Sequence, residues 1–84
     1  MGNQTRKEYF SGEFILQDNE AGAKIANYLR GSPKVRKYYE TGNDVIKAEI
    51  DGGVIRIIGR WLSLNGLDLN MARDIGRLAM EGVK

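Results

Sequence analysis

The segment RGSPKVRKYY at residues 30 to 39 holds the residue types of this chain that are best suited to binding a ligand. It places four cations beside two aromatic residues, with no acid among them: Arg30, Lys34, Arg36, Lys37, Tyr38 and Tyr39. Cations neutralise phosphates and release counterions, and aromatic rings stack on unpaired bases. The segment therefore predicts contact with RNA or single-stranded DNA. The alternative is a short amphipathic helix that packs through Val35, Tyr38 and Tyr39 and leaves its cations in water.

Catalytic chemistry has little support in this composition. The chain contains no cysteine and no histidine, which excludes thiolate nucleophiles, imidazole bases and the usual zinc ligands. The carboxylates lack the spacing of a calcium loop, and the glycines match neither GxGxxG nor GxxxxGK followed by Ser or Thr. We therefore expect a non-catalytic protein that uses no metal and no cofactor.

A second candidate site lies on the outward face of a predicted β-hairpin, VIKAEIDGGVIRIIGRW, at residues 45 to 61. This face carries three cations and three aliphatic residues: Lys47, Arg56, Arg60, Val45, Val54 and Ile58. If helices cover only the other side of the sheet, these aliphatic side chains mark a contact surface for a partner or a second copy. The alternative is that isolated exposed β-branched residues simply favour strands.

A third candidate is the last predicted helix, whose possible contact residues are Met71, Gly76 and Met80. Small residues at Ala72, Gly76 and Ala79 permit close approach of another backbone, and methionine suits adaptable contacts. The alternative is that this helix merely packs tightly on its own sheet.

Several segments of regular structure are needed to position these residues. Alternation from Tyr9 to Gln17 predicts a strand, with Phe10, Phe14 and Leu16 facing the core. Asp18 or Asn19 caps a helix whose apolar stripe is Ala21, Ile25, Tyr28 and Leu29. Ser32 and Pro33 then suit the start of a second short helix, from Pro33 to Glu40.

The hairpin follows, with a turn at Gly52 and Gly53 that pairs Ile50 with Ile55 and Glu49 with Arg56. A turn at Asp51 and Gly52 is disfavoured because it places Lys47 opposite Arg56. The second strand continues to Trp61, which is expected on the core side with Ile55 and Ile57. Residues 63 to 66 are predicted as a loop, and a final helix runs from about Asp68 to about Glu81.

These elements predict an α+β two-layer sandwich in the order β-α(-α)-β-β-α, with a three-stranded antiparallel sheet and helices on one face. Residues 1 to 7 are expected to be a flexible segment, and residues 8 to 84 a single domain. Absent cysteine and the lack of a long apolar run favour a cytoplasmic protein without a membrane partner. The expected function is nucleic-acid binding, and the alternative is a protein-interaction or dimerisation subunit.

Overall fold

The computed structural model describes residues 8–42 and 45–80, so the predicted flexible segment at residues 1 to 7 lies outside the described residues. Five strands and two helices occur in these two ranges: β1 (Tyr9–Ile15), α1 (Asn19–Arg30), β2 (Val35–Glu40), β3 (Val45–Ile50), β4 (Gly53–Ile58), β5 (Trp61–Asp68) and α2 (Leu69–Met80).

The strands form one sheet in the order β1-β5-β4-β3-β2, and every neighbouring pair is antiparallel. Strands β2 to β5 follow one another as a meander, and β1 pairs with β5 at the far side. The α+β class is therefore correct, whereas the three-stranded sheet is wrong. Two segments that the sequence assigned to a helix and a loop are strands.

The first of these segments is β2, which replaces the predicted helix from Pro33 to Glu40. The pairing register shifts between Val35 and Lys37, so that Val35 pairs with Ile50 and Tyr38 with Ala48. This bulge brings Val35 and Tyr38 to the same face although they are three residues apart, and both pack against the core. A spacing of three within six residues is also the spacing of a helix, which explains the error.

The second segment is β5, which includes the predicted loop at residues 63 to 66. Leu62, Leu64 and Leu67 are buried, and the spacing of three between the last two again comes from a bulge. Gly66 adopts a φ of 69° there and donates its backbone N–H to Ser11 Oγ at 3.0 Å. An Asn-Gly pair is typical of a turn, but here Asn65 and Gly66 form the bulge in a paired strand.

The hairpin register also differs from the prediction. Ile50 pairs with Gly53 across a turn at Asp51 and Gly52, so Lys47 does lie opposite Arg56. A Cβ atom at Gly53 would lie 2.6 Å from the carbonyl oxygen of Gly66, so this glycine permits close approach of β4 to the bulge of β5. The difference is a slip of two residues, which leaves every side chain on its predicted face.

Both helices pack on the same face of the sheet, as predicted. Asp18 caps α1 by accepting the backbone N–H of Ala21 at 3.0 Å, and the hydroxyl of Tyr28 donates to Asp74 Oδ2 at 3.2 Å to link the helices. Fully buried aliphatic side chains from α1, α2 and the three inner strands fill the space between the layers, among them Ile25, Leu29, Ile55, Ile57, Leu62, Leu67 and Ile75. The opposite face of the sheet carries no helix within the described ranges.

Candidate nucleic-acid interface

The uncovered side of the sheet, called here the open face, collects alternate side chains from all five strands. Its members are Tyr9, Glu13, Ile15, Lys37, Tyr39, Val45, Lys47, Glu49, Val54, Arg56, Ile58, Trp61, Ser63, Asn65 and Asp68. Three cations and three acids occur in this set. All three cations lie on β2, β3 and β4, so this half of the face is the more positive one.

The middle row of the open face crosses the whole sheet. Tyr39 pairs with Lys47, Lys47 with Arg56, Arg56 with Ser63, and Ser63 with Glu13. Adjacent strands in such a row are about 4.8 Å apart. One tyrosine and two cations therefore lie side by side on three consecutive strands.

Lys47 and Arg56 form a like-charge pair at the centre of this row. Like charges directly opposite each other in an antiparallel ladder are destabilising. The Lys47 ammonium is partly compensated, because it lies 3.5 Å from Glu49 Oε2 and 5.8 Å from the centre of the Tyr39 ring. Arg56 is exposed and has no hydrogen bond or ion pair to any residue in 8–42 or 45–80.

A row of apolar side chains borders the middle row at one end of the sheet. Ile15 pairs with Trp61, Trp61 with Ile58, and Ile58 with Val45. Ile15 is 67% exposed and Ile58 is 48% exposed, while Trp61 and Val45 are half-buried. The open face therefore offers aliphatic and indole surface next to its cations.

Only part of the segment at residues 30 to 39 reaches the open face. Lys37 and Tyr39 lie there, opposite Glu49 and Lys47. Tyr38 points to the helix side, where its hydroxyl donates to Glu40 Oε2 at 3.0 Å. Burial, followed by this hydrogen bond, raises the pKa of Tyr38 above its ordinary value. Alternation along a strand thus divides residues that a helix would have grouped.

The remaining predicted cations point elsewhere and contact oxygen atoms within the described chain. Arg30 lies 3.0 Å from Glu40, Lys34 lies 3.3 Å from Asp68, and Arg36 lies 3.9 Å from Asp51. Arg60, in the turn between β4 and β5, donates to the backbone oxygen of Gln17 at 3.2 Å. These four cations do not join Lys37, Lys47 and Arg56 in one surface.

The predicted interface residues divide in a similar way. Val45, Val54 and Ile58 lie on the open face, as expected. Met71 is 1% exposed and belongs to the core, so its side chain offers no surface. Gly76 and Met80 line an apolar groove of about 540 Å³ between β1 and α2.

Trp61 is the main residue of the open face that the sequence interpretation misplaced. It was expected on the core side, but the chain turns at Gly59, with a φ of 62°, and Trp61 begins a new strand opposite Ile58. The alternation of Trp61, Ser63 and Asn65 with Leu62 and Leu64 was the available signal for this face.

A second cleft, of about 600 Å³, lies at the end of the sheet near β2 and the start of α2. Its charged lining includes Lys34, Asp68, Arg36 and Asp51, which form the two ion pairs already described. Among the described residues, no cluster of three potential metal ligands occurs, and no buried side-chain polar atom lacks a hydrogen-bond partner. This cleft therefore has less free charge to offer a ligand than the open face.

Neither helix in the described part of the chain is long and apolar enough to span a membrane. Comparison with known protein families, curated proteins and solved structures finds no match for this chain.

Proposed function

We propose that this protein is a non-catalytic module that binds single-stranded nucleic acid on the β2–β4 half of its open face. The observation that carries the proposal is the like-charge pair of Lys47 and Arg56, with Tyr39 beside it in the same row. A phosphate bound between the two cations would remove their mutual repulsion and release counterions. Binding would thereby stabilise an arrangement that costs free energy in the unbound protein.

Aromatic side chains near this pair supply the second requirement for such a ligand. Tyr39 is 41% exposed at one end of the positive half, and half-buried Trp61 lies next to Ile58 within the apolar row. Unpaired bases stack on aromatic faces with little dependence on sequence. The open face therefore combines phosphate neutralisation with base stacking.

Single strands suit this surface better than duplexes do. The major groove of DNA admits a helix or a two-stranded ribbon, whereas the candidate cations lie on the face of a five-stranded sheet. Unpaired bases can splay across such a face, as they do on other sheet-based RNA-binding modules. We accordingly propose RNA or single-stranded DNA as the ligand class.

The proposal is tested by fluorescence anisotropy with labelled single-stranded oligonucleotides, in RNA and DNA form, over a series of salt concentrations. Lys47→Gln and Arg56→Gln should each weaken binding and reduce the slope of log affinity against log salt by about one. Lys34→Gln is the matched control, since this cation lies outside the open face and beside Asp68. Absence of binding at low salt, or an equal effect of Lys34→Gln, would contradict the proposal.

A second candidate function, protein binding, is favoured by the apolar row of Ile15, Trp61, Ile58 and Val45. Exposed neighbouring apolar residues often mark contact surfaces. Val54→Asp and Ile58→Asp would then disrupt association without unfolding the protein, and oligonucleotides would not bind.

A cytoplasmic location stays a prediction of the sequence.

A further inference from the structure

Strand β1 is an edge strand with an unusually apolar exposed surface. Within the described chain it pairs only with β5. Three of its seven residues are large apolar side chains left open to solvent, with exposures of 58% for Tyr9, 43% for Phe14 and 67% for Ile15. An exposed apolar edge strand is a template for pairing with another strand.

The backbone groups of β1 that are free for such pairing can be identified from one hydrogen bond. Leu16 donates its backbone N–H to the carbonyl oxygen of Arg60 at 2.6 Å, so the even-numbered residues of this strand face β5. Bonding direction alternates along an antiparallel strand. The backbone N–H and C=O groups of Ser11, Glu13 and Ile15 therefore point away from the sheet.

The opposite edge of the sheet differs in its side chains. Strand β2 carries Arg36, Lys37 and Glu40, all exposed. Charged side chains, and lysine above all, discourage pairing at an edge. Protection of one edge but not the other indicates that β1 is the edge available for pairing.

We propose that two copies of this chain form a homodimer by antiparallel pairing of β1 with β1, centred on Gly12. The strand reads YFSGEFI, which is close to symmetric about its glycine. In this register Tyr9 pairs with the partner's Ile15, and Phe10 with the partner's Phe14. Ser11 pairs with the partner's Glu13, so each carboxylate meets a hydroxyl group. The inference does not depend on nucleic-acid binding.

Backbone direction and charge both select this register. Pairing Ser11 with the partner's Glu13 brings together residues whose free N–H and C=O groups face each other, as a hydrogen-bonded pair requires. Moving the dimer axis from Gly12 to Glu13 would place the Glu13 carboxylates of the two copies directly opposite each other. Centring it on Ser11 would pair Phe10 with the partner's Gly12 and lose the contacts between phenylalanines.

Gly12 has a steric role at the proposed dimer axis. The rings of Phe10 and Phe14 stack over it with centroids 6.0 Å apart, and an added Cβ atom would lie 3.1 Å from the Phe10 ring. Pairing across the axis would gather both phenylalanines of each copy into one cluster on the helix side of a ten-stranded sheet.

The groove between β1 and α2 would be covered by the same association. On the α2 side it is lined by Leu69, Ala72, Gly76, Ala79 and Met80, and Met80 is 63% exposed. Small side chains on α2 leave room over the β1 edge for the phenylalanines of a second copy. The sheet edge and the groove thus form one continuous surface.

The oligomeric state tests this proposal through matched substitutions. In sedimentation equilibrium at micromolar concentration, the wild type should have twice the 9.4 kDa mass of the chain. In the symmetric dimer, Ser11→Glu places the new carboxylate opposite the partner's Glu13, and symmetry repeats this contact once. The substitution should therefore weaken dimerisation by roughly 5- to 30-fold. Ser11→Lys should retain the dimer, and Ser11→Glu combined with Glu13→Lys should restore it.

The two single substitutions at Ser11 control for the fold, because both remove the hydrogen bond from Gly66. Equal dimerisation of Ser11→Glu and Ser11→Lys, or a wild type that stays monomeric, would overturn the proposal. Hydrogen exchange on the wild type supplies a test without substitution. The amides of Ser11 and Glu13 should gain protection as protein concentration rises, and unchanged exchange at these amides would also overturn it.

Discussion

Lys47 on β3 and Arg56 on β4 lie directly opposite each other at the centre of the open face. Such a pair costs stability in the absence of a ligand, and the alternative hairpin register would have avoided it. In the observed register Gly53 is the first residue of β4 and its backbone lies close to Gly66 of β5, whereas the alternative register would place Gly53 in the turn. The two cations therefore lie side by side on the open face.

Arg56→Thr should stabilise the unbound protein while weakening nucleic-acid binding. Removing the arginine relieves the repulsion with Lys47, and threonine suits a strand, so the free energy of unfolding should rise by about 0.2–1 kcal/mol at low salt. Urea denaturation followed by Trp61 fluorescence measures this change. Lys37→Thr is the matched control, because it removes a cation opposite Glu49 and should have the reverse effect. Loss of stability in Arg56→Thr would show that the pair is not repulsive.

If one base stacks on the Tyr39 ring, Tyr39→Ala should make the free energy of binding to single-stranded RNA less favourable by about 1–3 kcal/mol. The salt dependence should stay unchanged, since no cation is removed, and Tyr39→Phe should keep most of the affinity. Anisotropy titrations measure both quantities. Tyr38→Phe provides the comparison on the helix side of β2 and should bind like the wild type. Equal losses in Tyr39→Ala and Tyr39→Phe would argue against stacking.

The two methionines of α2 should respond very differently to truncation. Met71 is 1% exposed, so Met71→Ala should reduce the free energy of unfolding by about 2–5 kcal/mol through lost burial and a cavity. Met80 is 63% exposed, and Met80→Ala should change the free energy of unfolding by less than about 0.5 kcal/mol. Urea denaturation at low protein concentration measures both changes without a contribution from dimerisation. Similar losses in the two variants would contradict the placement of these side chains.

Stability should fall above pH 10 partly because of Tyr28. Burial raises the pKa of its phenol above the ordinary value of 10.0, and the neighbouring Asp74 carboxylate raises it further. A raised pKa in the folded state contributes stability that is fully present below the unfolded pKa and is lost as pH rises through the folded pKa.

Tyr28→Phe removes both this pH dependence and the hydrogen bond to Asp74. At neutral pH it should reduce the free energy of unfolding by about 0.5–1.5 kcal/mol, and its stability should decline less steeply above pH 10. Denaturation curves between neutral pH and pH 11 make the comparison, with Tyr38→Phe alongside because the pKa of Tyr38 is raised as well. Parallel pH profiles for Tyr28→Phe and the wild type would rule out this contribution.

Regular patterns in the sequence were enough to predict several elements. These include the alternation of β1, the Asp18 cap and apolar stripe of α1, and the apolar stripe of α2. Each of these patterns depends only on residues that are close together in the sequence. The faces of β3 and β4 were also correct, because a slip of two residues preserves the alternation.

The candidate site was only partly predictable for a related reason. Lys47, Arg56, Val45, Val54 and Ile58 were placed on the outward face of the hairpin, where they lie. From residues 30 to 39, however, only Lys37 and Tyr39 join them, because the segment is a strand and not a helix. A six-residue segment with apolar residues three apart fits either structure until its partner is known.

The sequence by itself determined the chemistry available to this chain, since its composition lacks cysteine and histidine and its residue order fixes where the cations stand along the chain. Only the tertiary structure decided that β2 and β5 are strands and that Trp61 belongs to the open face. Bulges at Arg36 and Gly66 interrupt the local alternation, and each depends on pairing with another strand, β3 for Arg36 and β1 for Gly66. Pairing energy between such strands outweighs local preference, and no short window of sequence contains it.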